Sequence, residues 1–233
     1  TTPETLNDLA FGWRLKSENI KLNTNIYYMD YKNQLVLTGA LDDVGAPVRA
    51  TSGSSYRLGL EIDADIRLND YFSIRPNAAF SSNKNRSFFI TRDGIAEPQA
   101  LGKTDLSFSP DVVIGNIFTY TPLQNLQFSF LSKYVSKQFM SNFSSAVSTN
   151  DVLKSFFTSD LNIVYELKTT NVFKSVVFSA LVNNIFNKEY VDRGYYYTYD
   201  DTWSNAGVTT TVDGAGYYPQ ATRNFLIGVS LKF

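Results

Sequence analysis

The densest recognition chemistry in this sequence is the run Asp192-Arg193-Gly194-Tyr195-Tyr196-Tyr197-Thr198-Tyr199-Asp200-Asp201-Thr202-Trp203. Tyr195, Tyr196, Tyr197, Tyr199 and Trp203 offer flat faces that bind by area, and the Arg193 guanidinium can fork onto a carboxylate, so this set suits a flat or anionic small molecule. The competing reading is that the tyrosines pack the segment against its neighbours or belong to an aromatic girdle. A second set is Glu61, Asp63 and Asp65, which a spacing of two places side by side on one strand face, with Arg57 at the end of the row. This row lacks the glycine turn and terminal glutamate of a calcium loop, and a charged wall paired with Arg14, Arg75 and Lys133 explains it better. Ser81-Ser82-Asn83-Lys84 has the Ser-x-x-Lys spacing of one class of active-site serine, without the further motifs such a site needs. No two carboxylates are marked as a glycosidase pair.

Composition narrows the chemistry further. The chain has no histidine and no cysteine, which excludes a Ser-His-Asp triad, a cysteine nucleophile, imidazole or thiolate metal sites and any disulfide framework. No catalytic residue, resident metal or cofactor is expected. A formal charge of -1 gives no electrostatic footprint for nucleic acid. The 18 Phe and 15 Tyr against 2 Met favour strands over helices, because aromatic side chains fit a pleated surface.

Positioning these residues falls to strands, since period-2 alternation recurs along the whole chain. Leu9, Phe11, Trp13 and Leu15 alternate with Ala10, Gly12, Arg14 and Lys16, and Tyr56, Leu58, Leu60, Ile62, Ala64 and Ile66 alternate with Arg57, Gly59, Glu61, Asp63 and Asp65. Further segments are Ile20 to Tyr28, Phe72 to Phe80, Val112 to Tyr120, Leu126 to Tyr134, Phe157 to Tyr165, Val176 to Val182 and Phe225 to Phe233. The apolar face of these nine strands carries no charge. A soluble sandwich would alternate in the same way. The connections discriminate better: Ser17 to Asn19, Arg67 to Asp70, Thr121 to Asn125 and Leu167 to Asn171 are tight turns, whereas Tyr31 to Ser55, Ser82 to Ser109, Ser136 to Ser155 and Asn183 to Thr222 are long and predicted to be structureless. Strict alternation of short and long connections is the rhythm of a membrane barrel. Tyr120 and Tyr165 fall beside short turns and Tyr28, Tyr134 and Phe186 beside long ones, so rings collect at two levels, as at two membrane–water interfaces.

The last segment is a complete alternating strand with Phe225, Ile227, Val229, Leu231 and Phe233 on its apolar face. It resembles the signal by which outer-membrane barrels are recognised by their assembly machinery. The stretch Leu181-Val182-Asn183-Asn184-Ile185-Phe186-Asn187-Lys188-Glu189-Tyr190, followed by Tyr218-Pro219-Gln220-Ala221-Thr222-Arg223-Asn224-Phe225, and also Lys133-Tyr134-Val135-Ser136-Lys137-Gln138-Phe139, resemble the C-terminal end of TonB-dependent outer-membrane receptors. The resemblance implies an all-β, antiparallel transmembrane barrel of about 22 strands with a plugged lumen, of which this chain would supply about nine C-terminal strands (residues 1–233) without the plug. Thr1-Thr2-Pro3-Glu4 carries no initiator Met or apolar leader, which fits a processed or shortened chain.

On this resemblance the expected function is binding and passage of a scarce nutrient, an iron–siderophore complex foremost. The expected partners are outer-membrane lipid, the barrel assembly machinery, a small-molecule or metal-chelate ligand, and the TonB system acting through the absent plug. The glutamate and aspartate row would then face the lumen or that plug. Two other readings stay open at this stage: a small complete outer-membrane barrel acting as passive channel or structural protein, and a soluble β-sandwich binding module.

Overall fold

Side chains that alternate between two unlike surroundings hold a chain extended, and the computed structural model follows that rule over most of its length. It describes residues 3–41, 44–51, 53–90, 99–143, 148–169 and 172–233. These form sixteen strands: β1 (Thr5–Lys16), β2 (Ile20–Lys32), β3 (Leu35–Leu41), β4 (Pro47–Thr51), β5 (Ser54–Arg67), β6 (Phe72–Ile90), β7 (Gln99–Asp105), β8 (Val112–Leu123), β9 (Leu126–Val135), β10 (Gln138–Phe139), β11 (Val152–Leu153), β12 (Phe156–Lys168), β13 (Ser175–Asn183), β14 (Val191–Asp201), β15 (Thr210–Pro219) and β16 (Asn224–Lys232). Nine of them, in the order β1-β2-β5-β6-β8-β9-β12-β13-β16, make one antiparallel sheet, with β7 added to the outer part of β6. These nine are the alternating segments expected from sequence.

The tight turns are closed by local polar chemistry. Asn69 Oδ1 accepts from the backbone N–H of Tyr71 at 2.8 Å and of Phe72 at 3.0 Å, while Arg67 reaches Asp70 at 2.6 Å. Residues 170 and 171, in the turn expected over Leu167 to Asn171, lie outside the described residues.

The long connections differ from the sequence expectation, because they are built rather than structureless. β3 pairs with β4, β10 with β11 and β14 with β15, and β6 continues to Ile90 against β7. Residues 42–43, 52, 91–98 and 144–147 of these connections lie outside the described residues. The wall strands also run further than expected, β2 to Lys32 and β6 to Ile90. The outward residues just past the apolar band are polar, Asp30 and Lys32 on β2 and Ser82, Lys84 and Arg86 on β6, so a search for an apolar face ends too early.

The register carries the apolar face unbroken across the sheet. One row runs Phe11, Ile26, Leu60, Phe80, Val112; another runs Phe72, Tyr120, Phe128, Ile163, Ala180, Ile227. Phe72 stacks on Tyr120 at 4.5 Å, Tyr165 on Phe178 at 6.5 Å at the short-turn end, and Tyr28 meets Tyr56 at 6.4 Å at the other. A strand rising about 3.3 Å per residue advances about 33 Å from Phe72 to Ser82, which at a tilt of about 40° is about 25 Å of height, that of the apolar band on an outer-membrane barrel.

No second layer covers this face among the described residues. Leu9 and Phe11 are each 72% exposed and Ile227 is 78% exposed, so the sandwich alternative fails: its apolar faces would be buried between two sheets. Apolar burial is instead concentrated beyond the apolar band, where the outer end of β6 and the hairpins bring Val36, Phe88, Ile90 and Phe143 together with Leu101 and Tyr196 packed against them. The long connections thus form a cap with its own core.

Candidate functional site

Alternation on β14 sorts its tyrosines. Tyr196 packs into the cap core and meets Phe143 edge-on at 6.1 Å, while Tyr195, Tyr197 and Tyr199 share the opposite face. Tyr195 stacks with Tyr197 at 6.3 Å, Tyr218 of β15 joins Tyr195 at 6.2 Å, and Tyr199 lies parallel to Trp203 at 5.9 Å. Across the hairpin Tyr195 faces Gly216 and Tyr197 faces Gly214. Each ring lies over its glycine so closely that an added methyl group would collide with it. Glycine is the seat that lets each ring lie flat on the ribbon, and sequence reasoning named the rings without their seats.

Arg193 is exposed and continues the spacing of this face, its Nε 3.3 Å from Asp192 Oδ1. The structure therefore gathers Arg193, Tyr195, Tyr197, Tyr199 and Trp203 as an aromatic ridge with one cation, and sets Tyr196 apart as a packing residue. Such a ridge can hold a flat ligand by stacking and a carboxylate by the guanidinium.

The hairpin is moored to the β10–β11 region. Tyr217 Oη donates to the Asn150 carbonyl at 2.7 Å, and Asn150 Nδ2 donates to Asp213 Oδ2 at 3.0 Å. Hydrogen bonds from Ser148 and then Asn150 hold the Asp213 carboxyl below its ordinary value of 3.8. A carboxyl depressed in the folded state stabilises above its unfolded value and ceases to do so as pH falls through its folded value. The mooring is therefore expected to persist at neutral pH and to weaken below pH 3.8. Hydrogen-exchange protection of Val212 and Gly214, corrected for intrinsic rates, should fall there in the native chain and stay level in Asp213→Asn.

Two of the three segments that carry the family resemblance, Leu181 to Tyr190 and Tyr218 to Phe225, prove to be one structure. Asn184 and Asn187 both adopt left-handed backbone, at φ 49° and 55°, a conformation asparagine tolerates better than most residues. Buried Asn184 accepts from the Lys188 N–H at 2.8 Å, donates from Nδ2 to the carbonyls of Lys188 at 2.8 Å and Ala221 at 3.3 Å, and its own N–H donates to Asp160 Oδ1 at 2.7 Å. Asn187 Oδ1 accepts from the Arg223 N–H at 3.0 Å, and the Gln220 N–H donates to the Tyr190 carbonyl at 3.0 Å. This knot fixes where β14 leaves the wall and where β15 returns to it. Beside it opens a cleft of about 700 Å³ lined in part by Lys154, Lys188, Glu189, Tyr190, Tyr217 and Gln220. Periodicity could not reveal the cleft, because its residues come from three separate segments.

The second candidate set lies on the polar face of the sheet. Asn23 Nδ2 donates to Asp63 at 2.8 Å, Asn25 Nδ2 to Glu61 at 3.2 Å, and Asp65 stands between Lys21 at 3.8 Å and Arg75 at 3.7 Å. The pairing with Arg75 is as expected. Arg57 instead donates to Ser109 Oγ at 3.0 Å, and among the described residues no ion pair joins Arg14 or Lys133 to the row, because the register sets Asn23 beside Asp63 and Gly115 beside Lys133. Ser81 and Lys84 point to opposite faces of β6, Ser81 donating to the Pro110 carbonyl and Lys84 paired with Asp105. In β16, Phe225, Ile227, Val229 and Leu231 share the exposed apolar face.

A single-layer antiparallel sheet with an apolar exterior, a polar ladder on the other face, short turns at one end and folded hairpins at the other is a segment of transmembrane β-barrel wall. Residues 2–185 match the family model described as TonB dependent receptor-like, beta-barrel, and the chain belongs to that family, whose members are outer-membrane receptors and transporters rather than enzymes and work with TonB and small-molecule ligands. No curated protein matches the sequence. Among solved structures, the chain is similar to the ferric-catecholate import receptor Fiu from E. coli K12 in its closed form, with 17% identity and a TM-score of 0.63 over 100% of this chain and 28% of that one. It is similar to the siderophore receptor PiuA from Acinetobacter baumannii, with 16% identity and a TM-score of 0.67 over 97% of this chain and 28% of that one. It is also similar to the copper transporter OprC, with 18% identity and a TM-score of 0.65 over 98% of this chain and 31% of that one. At such identities the likeness is one of fold, and the chain spans less than a third of each of these proteins.

Proposed function

We propose that this chain is part of the wall and cap of an outer-membrane receptor that captures an iron–siderophore complex and passes it inward through a plugged barrel driven by TonB. The single observation that carries this reading is the aromatic ridge on a folded cap above the apolar band, since a passive pore needs no built recognition surface at its mouth. Arg193, Tyr195, Tyr197, Tyr199 and Trp203 contact the chelate in this reading, and Tyr196 holds the hairpin against the cap core. The structures named for ferric-catecholate, siderophore and copper transport support a metal-bearing cargo. Phe225, Ile227, Val229, Leu231 and Phe233 serve as the assembly signal, and outer-membrane lipid is the solvent for the exterior. Among the described residues β1 and β16 are each unpaired on one side, which favours a wall completed by further strands over a small complete channel.

Uptake of a radioiron-labelled ferric siderophore by cells carrying the native protein tests the proposal. Transport should saturate and should stop when TonB is deleted or the proton gradient is collapsed; linear, TonB-independent passage would identify a passive channel instead. Three rings at roughly 0.5 to 1.5 kcal/mol each beyond simple area lead to an expected loss of about a hundredfold in chelate affinity for the variant Tyr195→Ala, Tyr199→Ala, Trp203→Ala, read by fluorescence titration.

A further inference from the structure

Among the described residues the exterior of the wall is uncharged except in one place. Among the described residues of the nine wall strands, the charged side chains on the apolar parity are Asp30 and Lys32 of β2 and Lys84 and Arg86 of β6, all at the hairpin end. At the short-turn end the lysines Lys16, Lys21, Lys168 and Lys232 have the opposite parity and lie on the polar face.

These residues form a built patch directly beyond the apolar band. The row Tyr28, Leu58, Ser82 is followed outward by Asp30, Tyr56, Lys84, Asp105, and the next row begins with Lys32 opposite Ser54. Arg86 reaches Asp30 at 2.7 Å and the Tyr28 hydroxyl at 2.6 Å, and its guanidinium lies 5.3 Å from the Tyr56 ring centre. Lys103 sits over the same ring at 5.8 Å, and Lys84 pairs with Asp105. The two aspartates hold two of the cations in place, and four cations against two anions leave the patch positive. An ammonium or guanidinium in the hydrocarbon would cost roughly 2 to 4 kcal/mol, so on this chain the row marks the headgroup level, where phosphate is the available countercharge.

We propose that this patch of Lys32, Lys84, Arg86 and Lys103, floored by Tyr28 and Tyr56, binds the phosphate of a lipid headgroup in the leaflet on the hairpin side. The inference rests on the barrel reading above and adds a lipid site on the outside of the wall, remote from the aromatic ridge. Lys32 and Lys103, which brace the patch least, are the positions to change. In the full chain, Lys32→Gln with Lys103→Gln removes two surface cations, each contributing about a fivefold factor in attraction to anionic lipid, and should weaken binding about thirtyfold. Binding is read by native mass spectrometry of detergent-solubilised protein titrated with phosphatidylglycerol, with phosphatidylcholine as the zwitterionic reference and inorganic phosphate as the free-anion probe. The native chain should retain phosphatidylglycerol over phosphatidylcholine, the variant should lose that preference, and millimolar inorganic phosphate should not compete. Equal retention by native and variant chains overturns the proposal, as does displacement by inorganic phosphate, which would mark a free-anion site. Insertion of the same samples into lipid nanodiscs separates the two claims: a chain that inserts but shows no preference sinks the lipid site alone, and one that never inserts sinks the barrel reading with it.

Discussion

Asn184→Ala is expected to cost about 3 kcal/mol of stability in the folded protein and to loosen the β14–β15 hairpin before the wall itself. The side chain is 4% exposed and satisfies three backbone groups, the Lys188 N–H and the carbonyls of Lys188 and Ala221. Alanine leaves all three without their partner, at roughly 1 to 3 kcal/mol for each that stays dry, and it also sits poorly at φ 49°. Water entering from the neighbouring cleft relieves part of this, hence the intermediate figure. Urea unfolding in lipid vesicles measures the loss, and limited proteolysis locates it. Asn184→Asp is the informative companion, since it keeps the acceptor for Lys188 and loses the two donated bonds. A stability within 0.5 kcal/mol of native for Asn184→Ala would mean that the knot is ornamental and that the cap is held by its apolar core alone.

The second large effect is a charge placed on the exterior. Ile62 lies in the row Trp13, Thr24, Ile62, Ala78, Ile114, midway along the apolar band. Ile62→Arg should destabilise the membrane-inserted protein by about 2 to 4 kcal/mol, the cost of an arginine near the bilayer midplane. Asn25→Arg, opposite Glu61 on the other face, should cost under about 1 kcal/mol, because the new guanidinium meets a carboxylate in a wet interior. Measured in vesicles by the same unfolding titration, equal costs at the two positions would show that the faces are not lipid and water.

The two experiments bear on different layers of the protein, and those layers differ in how far they can be read without coordinates. Leu58, Leu60 and Ile62 announce themselves in sequence, since each outward residue meets lipid independently and the rule repeats every second position. Asn184 was visible only as part of a family motif. Two of its side-chain bonds stay local, to Lys188, but the third is made to Ala221, which lies 37 positions away, and no local period encodes that distance. The predicted loops failed as loops for a related reason. Past Tyr28 the outward residues turn polar, and a criterion built on apolar faces stops at the membrane edge although the strand runs on.

What the amino-acid order decided alone was the wall: nine antiparallel strands, their faces, the ends that carry short turns, and the rings at two levels. Each of those features depends on one residue and the solvent it touches. The cap core of Phe88, Phe143 and Tyr196, the glycine seats under Tyr195 and Tyr197, and the cationic patch around Tyr56 were decided only in three dimensions. They join residues far apart in sequence, whose approach is set by strand register and by the packing of one hairpin on another, and neither spacing nor composition records which side chains that register and packing bring together.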